Sequence, residues 1–408
     1  MIANSMVKIV LATFLALACA VGAFFFAMQK SFVNPYPLVC NFVAEKIYLS
    51  DDQLADWKKT CLRRSRLVTA YSPKKLIIQD LNNVFDLLKV SHLEIYDAKE
   101  VQNIWQGEST DTGLEGDFVE SELVIFKVHP QSPAEKAGLK KGDIVVSLNG
   151  EQPSSWTVAS EPGQYRILRG KENLSFEIKQ GSFQRDDSLR VQKFSSKVSV
   201  LKVPSFRADF FTEEKMKALS LDLRDSKMVV LDLRGNAGGN FVAGLRLLSE
   251  FICEPVEVGQ LVKPRYAQDS KADLPNDLKD ENQLAVLDVN KKVSLRTFKS
   301  EGCFTGKVRV LIDGKSSSVS EMVAQALKEF KKSYIAGAPS RGQLLVGVWY
   351  PMDEIAPGVQ ISIPEAYYQS ARGQRIEGQG VSVDRVLYYK LPQMQAGIDS
   401  WVDEMLRN

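Results

Sequence analysis

The run from Ile9 to Met28 is apolar at nearly every position, is flanked by Lys8 and Lys30, and is about as long as a bilayer is thick. From Pro35 to Leu88 the pattern becomes helical: after Ser72-Pro73, a cap with proline at the first helical position, Ile77, Leu81, Val84, Phe85 and Leu88 recur on one face. Gly113 to Lys179 reads as short strands, with a capped turn at Ser132-Pro133 ending at Gly138 and a hairpin signal at Asn149-Gly150. Ser182 to Val191 is polar and reads as a linker. Beyond it strands at 198–203, 228–233, 308–312, 334–336 and 359–363 alternate with helices at 241–251 and 319–330. This alternation predicts an α/β core built on a mixed sheet. The resulting plan has four parts: 1–30 a membrane segment, 31–107 a helical module, 108–182 a β-rich module and 183–408 the α/β core.

The N-terminal run favours an uncleaved signal anchor over a cleaved leader, because Phe24-Phe25-Phe26 prolong it past Ala18-Cys19-Ala20. Lipid attachment at Cys19 fits poorly for the same reason, and one lysine on each side does not fix orientation. Cys40 with Cys61 and Cys253 with Cys303 form two local pairs that suit disulfides in an oxidising compartment, with free thiols as the alternative. That favours placing everything after Lys30 outside the cytoplasm, in the cell envelope or periplasm and anchored in the inner membrane. A metal site is disfavoured, with no CxxC and only His92 and His129 as histidines, and no cofactor is expected. A net charge of +2 without a basic run gives no reason to expect nucleic-acid binding.

The run SPAEKAGLKKGDIVVSLNG, Ser132 to Gly150, resembles a bacterial PDZ domain. That resemblance implies that the loop Gly113-Leu114-Glu115-Gly116 receives a polypeptide's terminal carboxylate. The strand containing Leu123 and Ile125 would pair with the incoming chain. Glu115 departs from an ideal anion nest. A PDZ that only clamps the core is the other reading.

Three further stretches are VLDLRGNAGGN (Val230 to Asn240), VLIDGKSSSVSEMVAQAL (Val310 to Leu327) and IEGQGVSVD (Ile376 to Asp384). Together they resemble the carboxyl-terminal-processing and tricorn-type serine peptidases. The family's nucleophile is the first serine of S-x-S-E, which falls on Ser318. A serine opening a helix has unpaired backbone N–H groups beside it for a developing oxyanion, though Ser318 with Glu321 also fits a capping box. The N–H of Val319 and one from Gly238-Gly239 are the implied oxyanion donors; an ordinary strand-to-helix turn would use the same glycines.

Many bacterial relatives place a lysine base twenty-five residues after the serine, where this chain has Gln343. An amide cannot take the proton, and neither can nearby Arg341. The tricorn branch instead uses a Ser-His pair upstream of the PDZ region and a glutamate near the end of the core. These match Ser91-His92 and Glu377, with His92 as base and Glu377 or Ser91 orienting it. The expected protein is a serine endopeptidase acting on polypeptides with free C-termini, with homo-oligomerisation left open. The alternative is a dead pseudopeptidase serving as a PDZ adaptor or regulator.

Overall fold

A computed structural model describes residues 17–23, 33–265, 268–300 and 302–407. The Ile9 to Met28 segment lies outside these residues apart from Leu17 to Ala23, and among the described residues no helix is long and apolar enough to cross a membrane. The chain divides into two compact units, one ending at Ala98 but including Trp349–Pro364, the other made of Lys99–Val348 and the residues from Glu365 onward.

The first unit is built on helices α1 (Pro35–Lys46), α2 (Asp51–Arg64) and α3 (Lys74–Phe85). Val39, Val43, Leu54, Trp57, Leu81 and Phe85 are buried together, each contributing roughly 1.5–3 kcal/mol of transfer free energy. The Cys40–Cys61 disulfide joins α1 to α2 inside this core. Pro73 is the N-cap of α3 rather than its first residue, because Ser72 Oγ accepts from the Thr69 N–H at 3.1 Å instead of capping. Strand β1 (Glu94–Tyr96) pairs antiparallel with residues 360–362 and is held to α3 by Asn82, whose amide exchanges two hydrogen bonds with the Ile95 backbone. Residues 349–364, assigned to the core from sequence, thus belong to this unit, where Met352, Ile355 and Ile361 cover the helices.

The second unit begins with a five-stranded antiparallel sheet in the order β2 (Leu114–Val119), β3 (Glu122–Val128), β4 (Ile144–Leu148), β5 (Gly163–Arg169), β6 (Glu172–Ile178). Two short helices flank it, α4 (Pro133–Ala137), capped by Ser132, and α5 (Ser155–Ser160). Asn149 and Gly150 both take positive φ, as the hairpin signal requires. Residues 182–191 are no loose linker. Gly181–Gln184 pairs with Glu108–Asp111, and buried Asp187 meets Arg207 at 3.3 Å.

The core sheet contains β7 (Arg190–Ser195), β8 (Val198–Lys202) and β9 (Met228–Asp232), followed by helix α6 (Phe241–Ser249). The excursion closed by the Cys253–Cys303 disulfide carries β10 (Glu257–Val262), β11 (Lys271–Asp273), α7 (Asp280–Asp288) and β12 (Lys292–Arg296). Then come β13 (Lys307–Ile312), α8 (Val319–Lys331), β14 (Tyr334–Gly337), β15 (Arg385–Val386) and α9 (Ser400–Arg407). The core sheet runs β15-β14-β13-β9-β8-β7, parallel except for β7. Its central strands are near-continuous apolar runs because both faces are covered. In this unit β10 pairs with β12 and with residues 367–370.

Candidate active site

Because β9 and β13 are parallel neighbours, their carboxyl ends present the loops 233–240 and 313–318 side by side. Serine hydroxyls fasten these loops together. Ser316 Oγ donates to the Leu233 carbonyl at 2.9 Å, Ser317 Oγ to Ala237 at 3.2 Å and Ser320 Oγ to Asn236 at 2.9 Å. Asn236 is fully buried and serves as the hub. Its Oδ1 accepts from the Gly238 N–H at 2.8 Å, and its Nδ2 donates to the Val203 carbonyl at 2.8 Å. The sequence signal for Asn236 is its place between the end of a strand and the start of a helix.

Ser318 differs from its neighbours. Its backbone sits at φ 57°, ψ −125°, a region that costs a non-glycine residue roughly 1–3 kcal/mol. The serines that cap helices here, Ser132 and Ser154, are extended, and their hydroxyls accept from the N3 amide. At α8 the Glu321 N–H donates instead to the Ser318 carbonyl at 2.9 Å, and no cap bond to the Ser318 hydroxyl is made. Ser318 and Glu321 are placed as in a capping box, but the hydrogen bond formed between them is the one from the Ser318 N–H to Glu321 Oε2, at 2.9 Å. The hydroxyl is therefore released from helix capping. It faces Gly238, where an added Cβ would lie 2.6 Å from Ser318 Cβ and 3.0 Å from its Oγ.

Two carboxylates brace this turn. Glu321, fully buried, accepts from Ser340 Oγ at 2.6 Å and from the N–H groups of Gly342 and Gln343 at 2.7 and 3.0 Å, besides that of Ser318. Burial pushes its carboxyl upward, and these four donors oppose the shift. Gln343, in the lysine slot, stands beside the serine, its carbonyl accepting from the Ser318 N–H at 3.0 Å. Glu377 Oε2 accepts from the Leu344 N–H at 2.9 Å, one residue further on. So Ser318, Gly238, Gln343 and Glu377 are gathered in one neighbourhood. The Gly238 N–H is spent on Asn236; those of Gly239 and Val319 have no acceptor among the described residues.

Ser91 and His92 belong to the first unit, in the turn between α3 and β1. Ser91 is buried, and His92 takes φ 60°, an uncommon value for a non-glycine residue.

The structure corrects the expected carboxylate pocket of the β-rich module. Strand β3 lies between β2 and β4, so both its edges are occupied, and Leu123 and Ile125 are buried. The outer strand at this end of the sheet is β2. Two amides of the 113–116 loop are engaged too, Gly113 N–H with Asp111 Oδ1 at 2.7 Å and Leu114 N–H with Thr112 Oγ1 at 3.3 Å. Glu115 is held by Lys127 at 3.1 Å and His129 at 2.7 Å. Helix α5 closes over β2, with Thr112 N–H donating to Ala159 at 3.1 Å and Val158 packed against Gly116.

Residues 197–387 match the family described as peptidase family S41, and residues 124–179 match a PDZ domain. The chain is 25% identical over 360 residues to a "Probable CtpA-like serine protease" of Staphylococcus epidermidis, covering 83% of this chain and 67% of that one. It is 24% identical over 358 residues to a carboxy-terminal-processing protease of Bartonella bacilliformis, covering 84% and 76%. Among solved structures, the photosystem II D1 C-terminal processing protease aligns with TM-score 0.54 at 16% identity, covering 86% of this chain and 92% of that one. Mature CPAF aligns with TM-score 0.57 at 11% identity, covering 94% and 95%. These last two likenesses concern the fold.

Proposed function

We propose that this chain, whose residues 197–387 belong to peptidase family S41 and whose residues 124–179 are a PDZ domain, is an active serine endopeptidase cleaving polypeptides of the cell envelope near their C-termini. The observation that carries this reading is the strained Ser318 backbone, which gives up the capping role and directs the hydroxyl towards Gly238. Backbone strain of this kind suits a nucleophile held at a sharp strand-to-helix turn.

In the proposed mechanism Ser318 Oγ attacks the scissile carbonyl while His92 takes its proton. The tetrahedral oxyanion is met by the N–H groups of Gly239 and Val319. Collapse expels the amine, which receives the proton from His92, and water then releases the acyl group by the same route. Glu377 or Ser91 fixes the imidazole tautomer. The disulfides Cys40–Cys61 and Cys253–Cys303 support an oxidising compartment, and the apolar residues 9–28 support an inner-membrane anchor.

A second reading, a pseudopeptidase that binds polypeptides as an adaptor, is favoured by Gln343 in place of lysine. A fluorophosphonate probe separates the two. We expect covalent labelling that peptide mapping assigns to Ser318; absence of labelling in a protein that still binds peptides would establish the adaptor reading.

The glycine at 238 gives an independent test. Gly238 sits at φ +98°, and a methyl group there would collide with Ser318 Cβ and crowd the Ser317 carbonyl at 3.0 Å. Gly238→Ala is expected to lower kcat by about 10²-fold, the scale of displacing the nucleophile from its line of attack. Stopped assays on an unfolded protein substrate, with circular dichroism as a folding control, read the effect.

A further inference from the structure

A cavity of about 520 Å³ lies between the PDZ sheet and the carboxyl ends of the core strands, within the second unit. Phe118 and Phe126 line it from β2 and β3, Lys202 from the end of β8, and Lys141, Arg234 and Asp313 complete the parts that matter here. Most charges along this wall are paired. Lys127 meets Glu115 at 3.1 Å, Lys315 meets Asp117 at 3.3 Å, and Arg234 meets Asp232 and Asp399 at 2.6 and 2.8 Å. Asp313 accepts from the N–H groups of Gly235, Lys315 and Ser316. Two cations are left over: among the described residues the ammonium groups of Lys202 and Lys141 have neither an ion-pair nor a hydrogen-bond partner.

The half-buried amine of Lys202 is costly where it stands. Burial holds its ammonium below the ordinary lysine range; Asp232 acts against the shift, while Arg234, Lys127 and Lys141 add to it. An anion entering the cavity would offset both the cost of burial and the repulsion. Phe118, about half exposed, offers an apolar surface on the same wall. The loop expected to take a carboxylate is meanwhile closed by Asp111 and Thr112.

We propose that the C-terminal carboxylate of a bound polypeptide is held in this cavity by Lys202 and Lys141, with its last side chain against Phe118, and not by the 113–116 loop. This deepens the peptidase reading by naming where the chain end docks, and it rests on that reading for its substrate class. The cavity opens on Gly235 and Asp313, which belong to the 233–240 and 313–318 loops of the candidate site.

The test uses the full chain carrying Ser318→Ala, so that binding is read without turnover, and a fluorescein-labelled decapeptide ending in alanine with a free carboxylate. A charge-assisted hydrogen bond is worth about 1.5–3 kcal/mol, or roughly 10–100-fold in Kd. Lys202→Met is expected to weaken binding by that factor, Lys141→Met by less, and Lys202→Arg to retain part of it. The C-terminal amide of the same peptide should bind the parent weakly and lose nothing further in Lys202→Met. Equal binding of acid and amide, or unchanged binding in both lysine variants, overturns the proposal. An amide peptide with an internal glutamate that binds as tightly as the free acid would assign the site to acidic side chains, and displacement by millimolar inorganic phosphate would assign it to anions in general. Casein hydrolysis by the wild type is followed separately: hydrolysis with lysine-independent binding sinks this inference alone, whereas no hydrolysis with lysine-dependent binding sinks only the peptidase reading.

Discussion

Ser318→Ala is expected to abolish hydrolysis, lowering kcat by on the order of 10⁴–10⁶-fold, as for a serine acting in concert with a base. The same substitution should leave stability nearly unchanged. A capping serine replaced by alanine loses about 0.5–2 kcal/mol, but the Ser318 hydroxyl makes no cap bond. Thermal unfolding therefore distinguishes a nucleophile from a structural cap at this position. Ser318→Gly sharpens the contrast. Glycine tolerates positive φ, so the variant should match or exceed the wild type in Tm despite being inactive, as relief of roughly 1–3 kcal/mol of strain would allow. Loss of stability in Ser318→Ala with activity above about 1% would return the serine to a capping role.

How much of this was legible beforehand depends on whether local pattern or long-range pairing decides. The face of α3 could be read from Ile77, Leu81, Val84 and Phe85, all buried, because helical periodicity is local. The turns at Ser132, Gly138 and Asn149-Gly150 were legible for the same reason. Sheet order was not: an alternating strand looks the same at an edge or in the middle, so β3 was given a ligand although β2 and β4 occupy both its edges. The engaged amides of the 113–116 loop escaped notice because Asp111 and Thr112 act through geometry that composition does not encode. Residues 182–191 looked polar and loose, yet Asp187 is buried beside Arg207, a partner twenty positions away. At the candidate site, S-x-S-E marked Ser318, while the strain at φ 57° that sets it apart from ordinary caps is visible only in the backbone. Glu321, read as half of a capping box, turns out to gather four donors around the serine turn.

The source of the base is decided by substitution at position 92. The chain has two histidines, and His129 is buried and bonded through Nε2 to Glu115 at 2.7 Å, which commits it to the PDZ domain. Gln343 offers an amide where relatives offer an amine, and an amide does not accept a proton at ordinary pH. His92→Ala is accordingly expected to reduce kcat by about 10²–10⁴-fold, the range for general acid–base assistance. The pH profile carries the sign. A base works deprotonated, so the wild-type rate should climb with pH and level off above about pH 7, where an ordinary imidazole has lost its proton. In His92→Ala that step should vanish. Adding Gln343→Lys to His92→Ala should recover part of the rate, with the rise displaced to higher pH, since an amine of ordinary basicity must lose its proton first. A His92→Ala protein that keeps the full rate and the same profile removes the imidazole from the mechanism, and with it the tricorn-type arrangement, while leaving Ser318 in place.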